Sequence, residues 1–387
     1  MRAPMSDWQR HFSGFGGRAY LDCAAQGPFP AETAEAVRAA LRLKEHPEEI
    51  TPDLFEALPA RARAAAARLI GCHPSSITLG AGATHGMNAA ALGLPLRRGD
   101  EVLVARGEFP AVVLPFVNLE PAGVAVRFVA PAAGRHVAAE DFARAVTPRT
   151  RAIACSLVTF ATGVRIDLEA LGDLCRSRGL FLVVDGAQAI GAIDFRVADR
   201  PVDVLAVSGY KWLLAPYGTG FAYVSPRVLE RMRVAQVNWQ TVEGANRLNR
   251  PFDYVLRFKD GACRFDAGET ASFLNLAGFA ASVEFLNRVR VPTVGAHAGR
   301  LIDRLVLGLP GTGLAVVSDL RPGRRSAIVA LEAGSLDATR RTWRRLMDSG
   351  VVVSLRDNLI RVAPNIYNGP EDIDRLLAAA RAGTGGS

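Results

Sequence analysis

The sequence predicts an α/β protein: a large doubly wound domain on a mostly parallel sheet, followed by a smaller α+β C-terminal domain. Three observations lead there. From residue 101 onward, short Val/Ile/Ala-rich runs alternate with segments of helical spacing, the pattern of parallel strands with helices on both faces. After residue 232 the alternation gives way to an irregular polar stretch and one long apolar helix. At 387 residues the chain can bury more than one core. The expected division is an N-terminal arm, 1–19, packing with the small domain; a large domain, 20–285; and a small domain, 286–387.

Taken in order, the arm to about residue 17 is polar and glycine-rich. AYLDCAAQGPFP reads as a short strand and a turn punctuated by Gly27, Pro28 and Pro30. Residues 32–44 and 54–70 carry Ala, Val and Leu at helical spacing, with Thr51 placed to cap the second helix ahead of Pro52. Next, SSITLGAGATHGMNAAALGL takes a strand at 77–79 through Gly80 and Gly82 into a helix beginning near Thr84. A glycine turn feeding a helix start presents free N–H groups and the positive dipole end to an anion. The donors would be the Ala83 and Thr84 amides and the Thr84 hydroxyl, although a plain strand-to-helix connection has the same local sequence.

The strands EVLVA, VAVRFVA, AIACSLVTF, LFLVVDG and VDVLAVS follow, with helices at 111–119 and in DLEALGDLCRSRG. Sheets of this kind bind ligands at the carboxyl ends of their strands. Thr84, Glu108, Phe109, Phe160, Asp185, Gln188, Ser208 and Lys211 all fall at or just beyond such ends. Residues 237–265 are irregular, and ASFLNLAGFAASVEFLNRVR reads as one helix crossing between the domains. The tail reads as a helix at 297–307, strands LAVVS and AIVALE, a helix at 338–349, strands VVVSLR and LIRVAP, and a helix from Glu371.

Composition excludes several classes. The 49% hydrophobic and 22% charged content is that of an ordinary soluble globular protein. No apolar run is long enough to span a bilayer, and MRAPMSDWQRHF lacks the apolar core of a signal peptide, so a cytoplasmic location is expected. Five scattered cysteines without a CxxC argue against a disulfide frame or a metal site. The net charge of +8 comes from dispersed arginines, which does not make a nucleic-acid stripe.

The chemistry concentrates in residues 183–220. Lysine occurs only at Lys44, Lys211 and Lys259, against a Lys+Arg total of 46. Lys44 and Lys259 lie in the polar stretches KEHPEE and RFKDG, whereas Lys211 sits among strand and turn residues where desolvation lowers an amine's pKa. An acid ending one buried strand, Asp185, and a lysine just past the next are what a pyridoxal 5'-phosphate (PLP) site requires. The amine forms a Schiff base with the cofactor aldehyde, and the carboxylate keeps the pyridine nitrogen protonated. A structural lysine snorkelling from a strand end is the alternative for Lys211 alone; Asp185 and Ser208 beside it favour the cofactor.

VVDGAQAIGA, SGYKWLLAPYGTGFAYV, GATHGMN, FDAGE and IRVAPNIYN, in that family's order over nearly the whole chain, resemble the class V aminotransferase group of fold-type I PLP enzymes. Cysteine desulfurases, isopenicillin N epimerase-like proteins and kynureninase belong to it. The resemblance implies the fold-type I architecture and a homodimer with the site near the interface. It makes Lys211 the Schiff-base lysine and proton shuttle, Asp185 the pyridinium partner, and Gln188 a hydrogen bond to the phenolic oxygen. Ala83, Thr84 and Ser208 would hold the phosphate, Phe109 would stack on the ring, and Arg361 would grip the substrate α-carboxylate as a planar fork. Gly268 to Thr270 is matched, one residue out of register, to a contact with the partner's cofactor phosphate.

The departures from the family pattern separate its branches. Phe109 stands where desulfurases place a stacked imidazole, and a phenyl ring transfers no proton. Tyr210 stands for the histidine before the lysine, in a packing or phosphate-contact role, and Phe160 for an asparagine near the phenolic oxygen. VVVSLRDNLIR runs from strand to strand without the loop that carries the desulfurase cysteine, which excludes persulfide chemistry on a protein thiol. His85 could approach the cofactor, although a histidine at a helix start is more often exposed. Tyr210 and Tyr217 are candidate second acids, with packing or phosphate contact the stronger reading for each. Arg165 in TGVRID could aid a substrate carboxylate or equally serve the loop's structure. The function expected is Cα deprotonation of an α-amino acid, with β-elimination or replacement (C–S lyase type) ahead of epimerisation and transamination. A PLP-binding scaffold without catalysis stands behind these, because Lys211, Asp185 and Arg361 are all intact. No nucleic-acid or membrane partner is expected.

Overall fold

The computed structural model describes residues 7–245, 251, 255–268 and 273–383. In chain order, strand β1 (Ala19–Tyr20) precedes helices α1 (Ala31–Glu45) and α2 (Leu54–Ile70). The central sheet then takes β2 (Ile77–Gly80), β3 (Glu101–Ala105), β4 (Ala125–Val129), β5 (Thr150–Ser156), β6 (Phe181–Asp185), β7 (Val204–Ser208) and β8 (Gly220–Val224). Interleaved are α3 (Ala83–Gly93), α4 (Pro110–Val117), α5 (Ala139–Ala145) and α6 (Leu168–Arg178), and α7 (Pro226–Leu229) follows β8.

The strand order is β2-β8-β7-β6-β5-β3-β4. The body from β7 to β4 is parallel, whereas β8 is antiparallel to both β7 and β2. A parallel return needs a crossover, usually helical, of a dozen or more residues. Residues 209–219 between β7 and β8 form turns instead, so the chain doubles back there, and this return carries Lys211. The central parallel strands β6 and β7 are buried along their whole length, apolar on both faces up to Asp185 and Ser208 at their ends, as strands covered on both sides must be. Leu182, Val184, Leu205 and Val207 join the core with α2, α6 and α8 (Phe273–Val289). Val183, Val204 and Ala206 point the other way, against Met87 and Ala90 of α3 and Phe116 of α4.

The C-terminal part adds α9 (Val291–Gly308), β9 (Ala315–Val316), β10 (Val329–Glu332), α10 (Leu336–Asp348), β11 (Val351–Val352), β12 (Ser354–Arg356), β13 (Leu359–Val362) and α11 (Pro370–Arg381). Its antiparallel sheet runs β12-β13-β10-β9 and packs Val329, Leu331, Ile360 and Val362 against Ile302, Leu305, Ile373 and Leu376. The helix expected at 297–307 begins six residues earlier, at Val291. The preceding helix ends at Val289, and Arg290, with a φ of 69°, breaks the helical path and caps the next helix. Thr51 does not cap α2 with its side chain: Asp53 is the N-cap residue, and Thr51 offers only its carbonyl, to the Leu54 amide at 3.1 Å.

Strand β1 pairs in parallel with β11, and the chain continues alongside β13 through the Asp22–Ala363 bridge. Phe15 stacks on Tyr20 at 5.2 Å and meets Tyr367 at 5.3 Å. This N-terminal segment therefore delivers Asp22 to the end of β13. Among the described residues, no helix is long and apolar enough to cross a membrane.

Candidate active site

Three parallel strand ends and one turn converge on Lys211. It lies in the turn after β7, with Asp185 at the end of β6 and Ser156 at the end of β5. Lys211 is 9% exposed, and its Nζ lies 5.5 Å from the ring centroids of both Phe109 and Tyr210. The ammonium has no hydrogen bond or ion pair among the described residues. Burial pushes its pKa down, and the Asp185 charge opposes that only in part.

The lysine turn is held from outside. The Gly27 amide donates to the Tyr210 carbonyl at 2.8 Å, and the Leu214 amide to the Lys211 carbonyl at 3.0 Å. A Cβ on Gly27 would come within 2.1 Å of the Lys211 carbonyl oxygen, so only glycine lets the two segments approach this closely. Asp185 is buried, and its Oδ1 accepts from the Ala187 amide at 2.7 Å; burial raises its carboxyl above the usual range.

Gln188 is oriented by two partners the sequence did not reveal. Trp212 Nε1 donates to its Oε1 at 2.9 Å, and its Nε2 donates to the Ala24 carbonyl at 3.0 Å. One amide N–H then remains available. At the head of α3, the Ala83 amide donates to Ser208 Oγ at 3.1 Å, and Thr84 is exposed. Gly82 (φ 147°) leaves this corner open: a Cβ there would sit 3.4 Å from Ser208 Oγ. His85 turns away from it, its Nε2 lying 2.8 Å from the Phe265 carbonyl oxygen.

Phe109 is 39% exposed and meets Phe160 edge-on at 5.4 Å, while Tyr210 stacks on Tyr217 at 4.6 Å. Glu108 accepts from the Ser156 amide and hydroxyl at 2.7 and 2.5 Å, and burial raises its pKa.

Arg361 is only 2% exposed. Its Nη1 donates to the Phe160 carbonyl at 2.9 Å, and Nη2 reaches Asp22 Oδ1 at 3.2 Å and Ser354 Oγ at 3.1 Å. The Ser354 hydroxyl also donates to the second Asp22 oxygen. Nε is buried without a partner. The surface-strand alternative for Arg361 is thus ruled out. Asp22 was missed as a site residue; the signal available was an acid within the otherwise apolar run AYLDCAA. Thr270 lies outside the described residues.

No thiol is poised as a nucleophile. Cys23, the cysteine beside the lysine turn, is buried and pushed up to about 12. Cys72 and Cys175 are also raised to about 12, and burial raises Cys155 and Cys263. The β12–β13 turn, Asp357 and Asn358, carries no cysteine.

The aminotransferase class-V family profile matches residues 19–376. The chain is 29% identical to an isopenicillin N epimerase of Streptomyces clavuligerus over 94% of both chains. It is 29% identical to a probable cysteine desulfurase of Pseudomonas aeruginosa over 97% of both. Among solved structures it is similar to the cystine C–S lyase C-DES in complex with its reaction product cysteine persulfide, with a TM-score of 0.86 at 23% identity, covering 96% of this chain and 99% of that one. A mutant of C-DES was solved with glycine covalently linked to its PLP cofactor.

Proposed function

This chain belongs to the aminotransferase class-V family, and on that premise we propose that it is a PLP-dependent enzyme that acts on an α-amino acid, with Lys211 removing the proton at Cα. The observation that carries the reading is the state of Lys211: a buried amine with no ion-pair partner among the described residues, its pKa lowered by burial, between two aromatic rings. Burial favours the neutral form of the amine, which is the form that acts as nucleophile and base.

The residues present fit the cofactor. The glycine turn at Gly82, the Ala83 and Thr84 amides and the Ser208 hydroxyl suit a phosphate at a helix start. Asp185 suits the pyridine nitrogen, the free N–H of Gln188 the phenolic oxygen, and the Phe109 ring one face. When bound, PLP would supply the electron sink that stabilises charge at Cα.

The chain's own groups would do the rest. Asp185, fixed by the Ala187 amide, would hold a buried positive charge in place. Arg361 would orient the substrate through its α-carboxylate, its orphaned Nε being one donor still open to an acceptor. Tyr210 would pack beside the lysine and screen it from water. Lys211 would take the proton from one face of Cα and hold it where the departing Cβ substituent could receive it.

Loss or replacement of a Cβ substituent, of the C–S lyase kind, is placed first. It needs one base beside Cα, and Phe109 on the facing wall has no proton to give. Epimerisation is the second reading, motivated by the Streptomyces relative; the exposed hydroxyl of Tyr217, stacked on Tyr210, is the second acid it would require. Transamination ranks third. A homodimer is part of the proposal.

The test is a visible spectrum of the purified protein after adding PLP, followed by titration with L-amino acids while pyruvate, ammonia and product chirality are assayed. A yellow protein releasing pyruvate and ammonia from a β-substituted amino acid supports the lyase reading. Scrambled chirality moves the assignment to epimerase. A protein that never takes up the cofactor ends the enzymatic reading.

A further inference from the structure

A cavity of about 320 Å³ opens beside the site, between the carboxyl ends of β3 and β5 and the edge of the smaller sheet. Glu108, Ser156 and Phe160 line it on one side, together with Arg106, Arg135 and Arg165. Phe160 meets Phe109 at 5.4 Å, and Phe109 lies 5.5 Å from Lys211 Nζ. Phe160 and Phe109 thus link the cavity lining to the amine.

The charges of this lining are unbalanced. Both Glu108 oxygens accept from Ser156, and burial raises the pKa of that carboxyl. Asp357, at the tip of the β12–β13 turn, is the other acid on the lining. Arg135 pairs with Glu332, at 3.6 Å. Arg106 and Arg165 have no carboxylate partner among the described residues.

Arg165 is the informative one. Its main chain is committed, the amide donating to the Arg324 carbonyl at 2.7 Å and the residue bridging Val158. The guanidinium is only partly exposed; burial and Arg200 disfavour its charge, and the two acids that act on it, Asp167 and Glu169, each have another partner. Asp167 caps α6 through the Ala170 amide at 3.0 Å, and Glu169 pairs with Arg200. Half-burying an unpaired cation is unfavourable unless an anion visits it.

We infer that this cavity is a subsite for an anionic group at the far end of the substrate's side chain, held by Arg165 with Arg106 at the rim, so that the substrate class is α-amino acids bearing a second carboxylate. The inference deepens the proposed function and rests on it for the amino-acid end of the ligand.

Two matched pairs test it by calorimetry: L-glutamate against L-norvaline, and L-2-aminoadipate against L-norleucine, titrated into the PLP-loaded protein. Glutarate against valerate, titrated with and without PLP, supplies a readout that does not depend on the cofactor. At least one diacid should bind about tenfold more tightly than its monoacid match. Arg165→Gln should abolish that preference while leaving the monoacid affinity unchanged, whereas Arg361→Gln should weaken both members of a pair. If Arg165→Gln does not fold, the solvent-exposed change Arg106→Gln should lower the preference at least threefold. Equal affinities within every pair, or a preference that survives the substitution read, overturns the inference. Failure to bind PLP with glutarate still preferred would instead count against the enzymatic reading alone.

Discussion

The Arg361 guanidinium lies 3.2 Å from the Asp22 carboxylate, with side chains 2% and 12% exposed. One partner comes from the N-terminal segment and the other from β13, so the pair ties the chain's beginning to its last strand at the edge of the site. Removing one member of a buried pair costs about 3–5 kcal/mol, because the other charge is left uncompensated. Asp22→Asn should accordingly lower unfolding free energy by about 3 kcal/mol in urea titrations. In that background Arg361→Gln should cost far less than in the unmodified protein, because the two changes remove the same interaction. Additive losses would mean that the contact is energetically idle.

Gly27→Ala places a methyl group 2.1 Å from the Lys211 carbonyl oxygen. Overpacking of this kind costs about 1–3 kcal/mol, and relief requires the lysine turn to move. Turnover should therefore fall by at least about tenfold, since small misplacements of catalytic groups are expensive, while far-ultraviolet circular dichroism keeps its native shape. Unchanged turnover would show that the turn has slack.

Asp185 sets a pH dependence whose sign follows from burial. Its carboxyl is raised above the usual range, so the ionised form is disfavoured in the folded protein. Below the ordinary carboxylate pKa both states hold the proton and no penalty acts. As pH rises past about 4 the unfolded chain releases its proton first, and stability is lost up to the raised folded value. Lys211, lowered by burial, is penalised while protonated, and that penalty fades as pH climbs through its folded pKa toward the ordinary lysine value. Asp185→Asn keeps an oxygen for the Ala187 amide and removes the buried carboxylate. The cofactor-free variant should melt higher than the parent near pH 7.5, with a smaller gain near pH 4.5, and its PLP affinity should drop. A lower melting temperature near pH 7.5 would contradict the burial argument.

Lys211→Ala should lose all borohydride-stable attachment of PLP, read by intact mass, and at least about a hundredfold in turnover, the usual worth of a positioned acid–base group. Covalent label persisting on the variant would move the attachment to another residue, Lys44 or Lys259.

Much of this was legible locally. The β6 and β7 runs are apolar throughout because both of their faces are covered, and their ends are marked by Asp185 and Ser208. The lysine census singled out Lys211 because two of three lysines lie in polar stretches. The helix break at Arg290 was not legible: it is a positive-φ arginine rather than a glycine or proline. His85 was ambiguous for a related reason. Its direction depends on the Phe265 carbonyl, 180 residues away.

By itself the sequence determined the alternation of strands and helices, the acid and the lysine at neighbouring strand ends, and the absence of a thiol from the turn after β12. These follow from periodicity and residue identity, which act over a few residues. Only the tertiary structure decided that Arg361 is buried against Asp22, that Trp212 and Ala24 orient Gln188, that Gly27 leaves room for the lysine turn, and that Arg165 lines a cavity with no ion-pair partner among the described residues. Each of these depends on segments far apart in the chain meeting in space. Burial and charge pairing, which set the chemistry of a site, exist only once those segments have packed.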